Sequence, residues 1–272
     1  MSVTSCLNSE EDHVSEIDYV VQDGIATITL NRPHRKNAFT LAMIDRWAQL
    51  LREARDDPSV RVVLLTGAGG AFCAGVDLDD FADVTSTLQR QQVLVNRVHR
   101  VAEAVRALDK PLVAAVDGVA VGAGMDMALM CDIRLASHTA RFSEGYVRVG
   151  LIPGDGGCYF LPRLVGSQKA LELLWTGRFV EADEALDLDL VAALHPADQL
   201  HDAALQLCGR FAAGPPVAIQ AIKRVVRASQ DSDMSTSLAL VAAEQAVVQS
   251  TRDSQEAMEA FREKRTPIFE GA

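Results

Sequence analysis

The chain has 272 residues, 49% of them hydrophobic, which is enough to bury a full core and excludes a chain disordered throughout. A formal net charge of −11 excludes a general nucleic-acid surface, because phosphate binding needs clustered Lys and Arg. Cys6, Cys73, Cys131, Cys158 and Cys208 are widely spread with no C-x-x-C pair, which points to reduced thiols in a cytoplasmic setting rather than a disulfide framework.

Residues 1–16 contain Glu10, Glu11 and Asp12 and no basic stretch leading into an apolar one, so they read as a disordered lead-in. Ile25 to Leu30 alternates like a strand, and Asn31-Arg32-Pro33 ends it with a turn. Thr40 is a good N-cap for a helix whose one face carries Ile44, Trp47, Leu50, Leu51 and Ala54, and Asp56-Asp57-Pro58 closes it. A strand over Val62 to Thr66 follows, then a long helical segment from about Leu88 to Leu108, and Pro111 introduces the apolar strand Leu112 to Val116. The stretch from Pro111 to Met130 is nearly long and apolar enough to span a bilayer. Asp117, Asp126 and the glycines between them favour a buried strand, a turn and a buried helix, with no membrane segment.

After Gly124 a short helix leads to a candidate strand over Asp132 to Ala136, and Gly150 to Gly157 forms a turn before further helix. Strand alternates with helix in the rhythm of an α/β core spanning residues 17–196. Residues 197–272 form a helical region, broken at Gly214-Pro215-Pro216. Its small-residue face of Ala239, Ala242, Ala243, Ala246 and Val247 is expected to pack on another helix of its own chain, with an oligomer interface as the alternative.

Two apolar runs, Val62 to Leu65 and Leu112 to Val116, each lead through small residues into a helix start, at Ala71 to Leu78 and at Gly122 to Asp126. Such entries leave backbone N–H groups without intrahelical partners, so two of them can hold one anionic oxygen. Donors preorganised toward a developing enolate or tetrahedral oxyanion are worth about 3 kcal/mol of barrier each.

Asn31-Arg32-Pro33 with Lys36-Asn37-Ala38, Phe72 to Leu78, Gly118 to Asp132, Gly150 to Gly157, Leu161 to Gly166 and Phe261 to Pro267 together resemble the crotonase, or enoyl-CoA hydratase/isomerase, superfamily from about Val20 onward. The resemblance implies an α/β spiral of repeated β-β-α units with a helical C-terminal oligomerisation region that builds a homotrimer or homohexamer. It also implies an acyl-CoA thioester as substrate and no cofactor beyond that coenzyme A moiety. Matched position by position, it puts the oxyanion-hole N–H groups at Val76 and Ala123. Ala74, Asp77 and Leu78 fall near the adenine pocket, and Arg35, Lys36 and Ala38 on the loop lining the CoA channel.

The acid and base positions depart from the family pattern. Hydration of a 2-enoyl thioester needs a base to activate water for C3 and a proton donor for C2. The two glutamates of the hydratases map onto Asp126, shorter by a methylene, and Tyr146, which is neutral at pH 7 and a better donor than base. Asp155 offers a second carboxylate, and two neighbouring acids can divide acid and base roles between them; the alternative is that it caps the following helix. Glu144 could enter the site as well, but ranks below Asp155 because a two-residue displacement along a turn usually redirects a side chain.

The expected activity is hydration of a 2-enoyl-CoA, catalysed by Asp126, Tyr146 and Asp155. The alternatives are double-bond isomerisation and acyl-CoA binding without catalysis. No H-E-x-x-H, G-x-S-x-G or phosphate-loop motif occurs, and the six histidines lack ligand spacing, so no metal site is expected.

Overall fold

The computed structural model describes residues 16–82 and 86–272. The lead-in expected over 1–16 lies outside these, apart from Glu16, which pairs with Arg32 at 2.9 Å. The main sheet runs β1 (Ile17–Gln22), β2 (Ile25–Leu30), β3 (Val62–Gly67), β4 (Leu112–Val116), β6 (Ile133–Ser137) and β9 (Ala193–His195) in that spatial order. Only β1 and β2 are antiparallel. A smaller sheet holds β5 (Val119–Val121), β7 (Arg141–Ser143) and β8 (Val180–Glu181) in the order β5-β7-β8.

All five residues of β4 are buried, as expected for a parallel strand covered on both faces. Successive residues of β3 divide between those faces: Val63 and Leu65 join the larger core, while Val62 and Leu64 join a second cluster. The larger core is closed by α1 (Leu41–Asp56), which Thr40 caps by accepting the Met43 N–H at 3.2 Å, and whose Ile44, Trp47, Leu50, Leu51 and Ala54 are buried. The second is closed by α8 (Ala197–Ala212), whose Leu200, Ala204, Cys208 and Ala212 recur every fourth residue along one stripe.

The long helical segment is α2 (Thr87–Val93), one π-helical turn (Leu94–Val98) and α3 (His99–Arg106). The apolar stretch 111–130 is β4, a turn at Asp117-Gly118, β5 and α4 (Ala123–Leu129). No described helix is long and apolar enough to cross a membrane.

The spiral is visible in how strands are shared between sheets. β4 lies in the large sheet and β5 in the small one; β6 and β7 repeat the division, followed by α5 (Gly157–Val165) and α6 (Ser167–Thr176). Two further parallel rungs, Cys73 with Ala120 and Phe39 with Val76, lie outside the named strands, the first of them pairing with β5 of the small sheet. Each turn of the spiral therefore delivers one backbone segment to a common shelf on which the site is built.

The remaining helices are α7 (Ala182–Asp187), α9 (Pro216–Ser229), α10 (Met234–Gln249) and α11 (Arg252–Glu263). Lys223 and Arg227 of α9 pair with Asp132 at 2.6 and 3.0 Å, tying the helical region to the core. The small-residue face of α10 is a correction. Ala239, Ala242, Ala243, Ala246 and Val247 are exposed rather than packed on their own chain, because α9 covers α10 along a different line, marked by the Arg224–Glu244 ion pair at 2.8 Å.

Candidate active site

Phe39 N–H donates to Gly75 O at 2.9 Å, and Asp77 N–H donates to Phe39 O at 3.0 Å. In a parallel rung this pairing turns the intervening Val76 N–H to the opposite side of the segment. Gly75, at φ +96°, lets that segment pass close to α4: a Cβ there would sit 2.8 Å from Val121 O and 3.7 Å from Ala123 N. Ala123 N begins α4, after Gly122 at φ +53°, so it has no carbonyl one turn back to bond. Gly75-Val76 and the Ala123 start of α4, from two turns of the spiral, are thus brought side by side. Gly124 is required for the approach, since a Cβ there would collide with Cys73 O.

Asp126, Tyr146 and Asp155, the residues expected to handle protons, come together beside Gly122. Asp126, on α4, is fully buried; Asp155, in the glycine turn, is 5% exposed. Tyr146 sits in the 3-10 turn Gly145–Val149 with its ring 3.7 Å from a Cβ placed on Gly122, and its hydroxyl is 2.7 Å from both Asp126 Oδ2 and Asp155 Oδ2. A phenol has one proton, so it can donate to only one of these oxygens. The other contact requires a carboxyl proton donated to the phenol oxygen. One carboxyl proton in the pair is enough to satisfy both contacts, with one acid neutral and the other ionised.

Burial pushes the Asp126 carboxyl up to about 7, with the charge of Asp155 adding to the rise and the Tyr146 hydroxyl opposing it. Burial likewise raises Asp155, against the Tyr146 hydroxyl and the His99 ring, which favour its ionised form. Tyr146 is pushed well above its ordinary value by burial and by the two carboxylates, so it stays a neutral hydroxyl. Asp155 does not cap α5: Gly156 occupies the cap position with no side-chain bond.

Glu144 is also in the site, against the expectation that its two-residue offset from Tyr146 would redirect it. It is 1% exposed. Its carboxyl and Asp126 Oδ1 crowd the Cα of Gly157, where a Cβ would fall 2.8 and 2.9 Å from the two Glu144 oxygens and closer still to Asp126 Oδ1. The offset is absorbed because β7 ends at Ser143, whose hydroxyl donates to Gly177 O at 2.7 Å, so Glu144 turns inward before the 3-10 turn begins. The adjacency of Glu144 and Gly157 has no local sequence signal.

The residues expected to meet CoA are bonded to one another on neighbouring loops. Ala74 N–H donates to Lys36 O at 2.9 Å, and Ala38 O accepts from Arg32 Nη1 at 3.0 Å. Asp77 accepts from Arg32 Nη1 at 2.5 Å and from Arg35 Nη2 at 3.0 Å, and these guanidiniums hold its carboxyl at about 2. Arg35 also pairs with Asp79. Among the cations of this loop Lys36 alone has no acidic partner among the described residues, and it is exposed at φ +50°. Leu78 is 70% exposed. Buried Asn37, unremarked except as part of a motif, fixes the loop: its amide donates to Ala68 O at 2.9 Å and Ala71 O at 2.7 Å, and its carbonyl accepts from Arg32 N–H.

A cleft of about 1240 Å³ opens behind Asp155, where His99, Met130, Tyr159 and Phe160 line it together with α9.

Residues 21–272 match the family model described as enoyl-CoA hydratase/isomerase. The chain belongs to the enoyl-CoA hydratase/isomerase family. It is 35% identical over 262 residues to 2,3-dehydroadipyl-CoA hydratase of Escherichia coli, covering 95% of this chain and all of that one. It is 35% identical over 253 residues to 1,2-epoxyphenylacetyl-CoA isomerase of the same organism, covering 92% and 97%. The crystal structure of enoyl-CoA hydratase from Bacillus anthracis superposes with a TM-score of 0.91 at 32% identity, over 95% of this chain and all of that one. Members of the family thus include both hydratases and isomerases.

Proposed function

We propose that the protein hydrates a 2-enoyl-CoA thioester through an enolate held by the Val76 and Ala123 N–H groups. The observation that carries this reading is the Tyr146-bridged pair of buried aspartates beside those donors. The thioester oxygen accepts from both N–H groups, which lowers the barrier as charge develops on it. The ionised aspartate takes a proton from water as the oxygen bonds to C3, and the neutral aspartate gives its proton to C2, so water is added with no net change in protons. Turnover leaves the two carboxyls with exchanged protonation. Tyr146 restores them by donating to one while accepting from the other, with no solvent exchange.

Lys36, without an acidic partner among the described residues, is the cation of this loop that would meet a CoA phosphate, while Ala38 and Ala74 offer a small-residue wall to pantetheine, and the acyl group would extend toward the cleft lined by Asp155. The chemistry calls for no group beyond the substrate's own coenzyme A. The exposed small-residue face of α10 supports assembly of several copies, a homotrimer or a pair of trimers. The free thiols Cys73, Cys131, Cys158 and Cys208 support a reducing, cytoplasmic setting.

The test is loss of the conjugated-thioester absorbance of crotonyl-CoA and longer 2-enoyl-CoAs on purified protein. Absence of turnover at every chain length overturns hydration. Isomerisation is the second reading, favoured by the same carboxyl-to-carboxyl relay, which can move a proton between carbons without water. Conversion of a 3-enoyl-CoA to the conjugated ester with no hydration of the conjugated ester would replace the first reading with the second.

A further inference from the structure

We propose that Glu144 is a positioning residue: held as a neutral carboxylic acid, it donates its proton to Asp126 Oδ1, fixing the orientation of that aspartate and easing its ionisation. Asp126 Oδ1 and both oxygens of Glu144 are buried, and no protein N–H or hydroxyl among the described residues donates to any of them. Three carboxylate oxygens pressed together without a donor would be strongly repulsive. The arrangement is satisfied when one carboxyl carries the missing proton, and the crowding around Gly157 brings the two groups together for that bond.

Glu144 is the group that keeps it. The charged and titratable groups facing it are Asp126 on α4, Asp155 in the glycine turn and Cys158 on α5, and each disfavours its ionisation, with no cation among the described residues to offset them. Burial and these neighbours push its carboxyl up to about 10, above Asp126. Asp126 thereby receives Tyr146 at Oδ2 and Glu144 at Oδ1, two donors on opposite oxygens, so the carboxyl plane cannot rotate without breaking one of them. The catalytic consequence rests on the reading of Asp126 as a proton carrier.

The experiment compares Glu144→Gln and Glu144→Leu with the parent protein. Gln keeps a neutral N–H donor in nearly the same volume; Leu keeps the volume and removes the donor. Infrared difference spectra, parent minus variant, at about pH 8.5 are expected to show a carboxylic-acid C=O band that belongs to Glu144 and that both variants lack, over and above any band from the Asp126–Asp155 pair. With crotonyl-CoA, Leu is expected to lower kcat about 30-fold at similar KM and to move the alkaline limb of the pH profile up by about one unit, and Gln to restore both. A parent spectrum without that band, or a Gln variant that retains it, overturns the proposal. So does a downward move of the alkaline limb in both variants, which is the mark of an ionised Glu144 removed, or equal losses in both with the limb unmoved, which mark packing alone. If no protein turns over substrate, the hydration reading has failed, and the infrared result still decides where the proton lies.

Discussion

Replacing Tyr146 with Phe removes one oxygen that is 2.7 Å from each of two buried aspartates and leaves the ring packed against Gly122. The effect on the pH profile follows from counting protons. With one carboxyl proton in the pair, the hydroxyl makes a charge-assisted bond to the ionised acid and accepts a neutral bond from the protonated one. Remove that carboxyl proton and the second contact becomes an unprotonated oxygen against an unprotonated oxygen. Add a second carboxyl proton and the charge-assisted bond becomes an ordinary one.

The bridge therefore stabilises the one-proton form against both neighbours, by about 1–1.5 kcal/mol in each direction, the difference between a charge-assisted and a neutral hydrogen bond or the worth of one neutral bond. That is about one pKa unit at each limb. In kcat/KM measured against pH with crotonyl-CoA, the alkaline limb, where the pair gives up its last carboxyl proton, is expected to fall by about one unit. The acid limb is expected to rise by about one unit, and the narrowed optimum to lose about 100-fold in kcat as the relay between carboxyls is cut. Movement of both limbs in the alkaline direction would refute the reasoning, because it would mean that Tyr146 donates separately to ionised carboxylates and shares no proton between them. An unchanged profile would refute it as well.

Four further outcomes follow from the same coordinates. Asp155→Asn keeps the shape and a hydrogen bond but removes one member of the pair, and kcat should fall about 10²- to 10⁴-fold while KM changes little, read by the same absorbance assay. Gly157→Ala places a methyl within 3 Å of both Glu144 oxygens and against Asp126 Oδ1; the overpacking should cost about 1–3 kcal/mol in urea unfolding and lower kcat with it. Lys36→Ala should raise KM for CoA thioesters about fivefold at low salt with kcat unchanged, and the difference should shrink as salt is added. Because burial raises the folded-state carboxyl of Glu144 far above its unfolded value, its stabilising contribution is complete below about pH 4 and is lost as pH rises toward 10. Glu144→Gln should accordingly unfold at a higher temperature than the parent at about pH 8, with the gap closing near pH 4.

Much of this site was legible before any coordinates because its parts carry local signals. A strand that leads through Gly122 into a helix starting at Ala123 leaves helix-entry N–H groups without intrahelical partners wherever it lies in the fold, and the periodicity of Ile44, Trp47, Leu51 and Ala54 declares a buried helix face without a partner being named. The signals fail where an answer depends on what arrives from another turn of the spiral. The small-residue face of α10 reads as a face for another helix of its own chain, and only the line along which α9 crosses it leaves that face outside. The pair rungs at Phe39–Val76 and Cys73–Ala120 are too short to show alternation, so this pairing has no periodicity to read.

Glu144 is the most instructive case. Along the sequence it is an ordinary acidic residue at the end of an alternating stretch, and a side chain two positions from a turn residue has no preferred direction until the turn's geometry is fixed. What fixes it is a bond from the preceding Ser143 to Gly177, more than thirty residues away, and what makes room is the missing side chain of Gly157. The segment from Gly150 to Gly157 reads in the sequence as a turn before a helix; in the fold, Gly157 also admits two carboxyls to the same space. A carboxyl pair of this kind needs a shared proton to exist at all, so the departure of this chain from two glutamates is not a loss of proton-handling capacity. Three buried acids and one phenol share fewer protons than they have oxygens, and that shortage is what keeps one of them ready to give a proton while another is ready to take one.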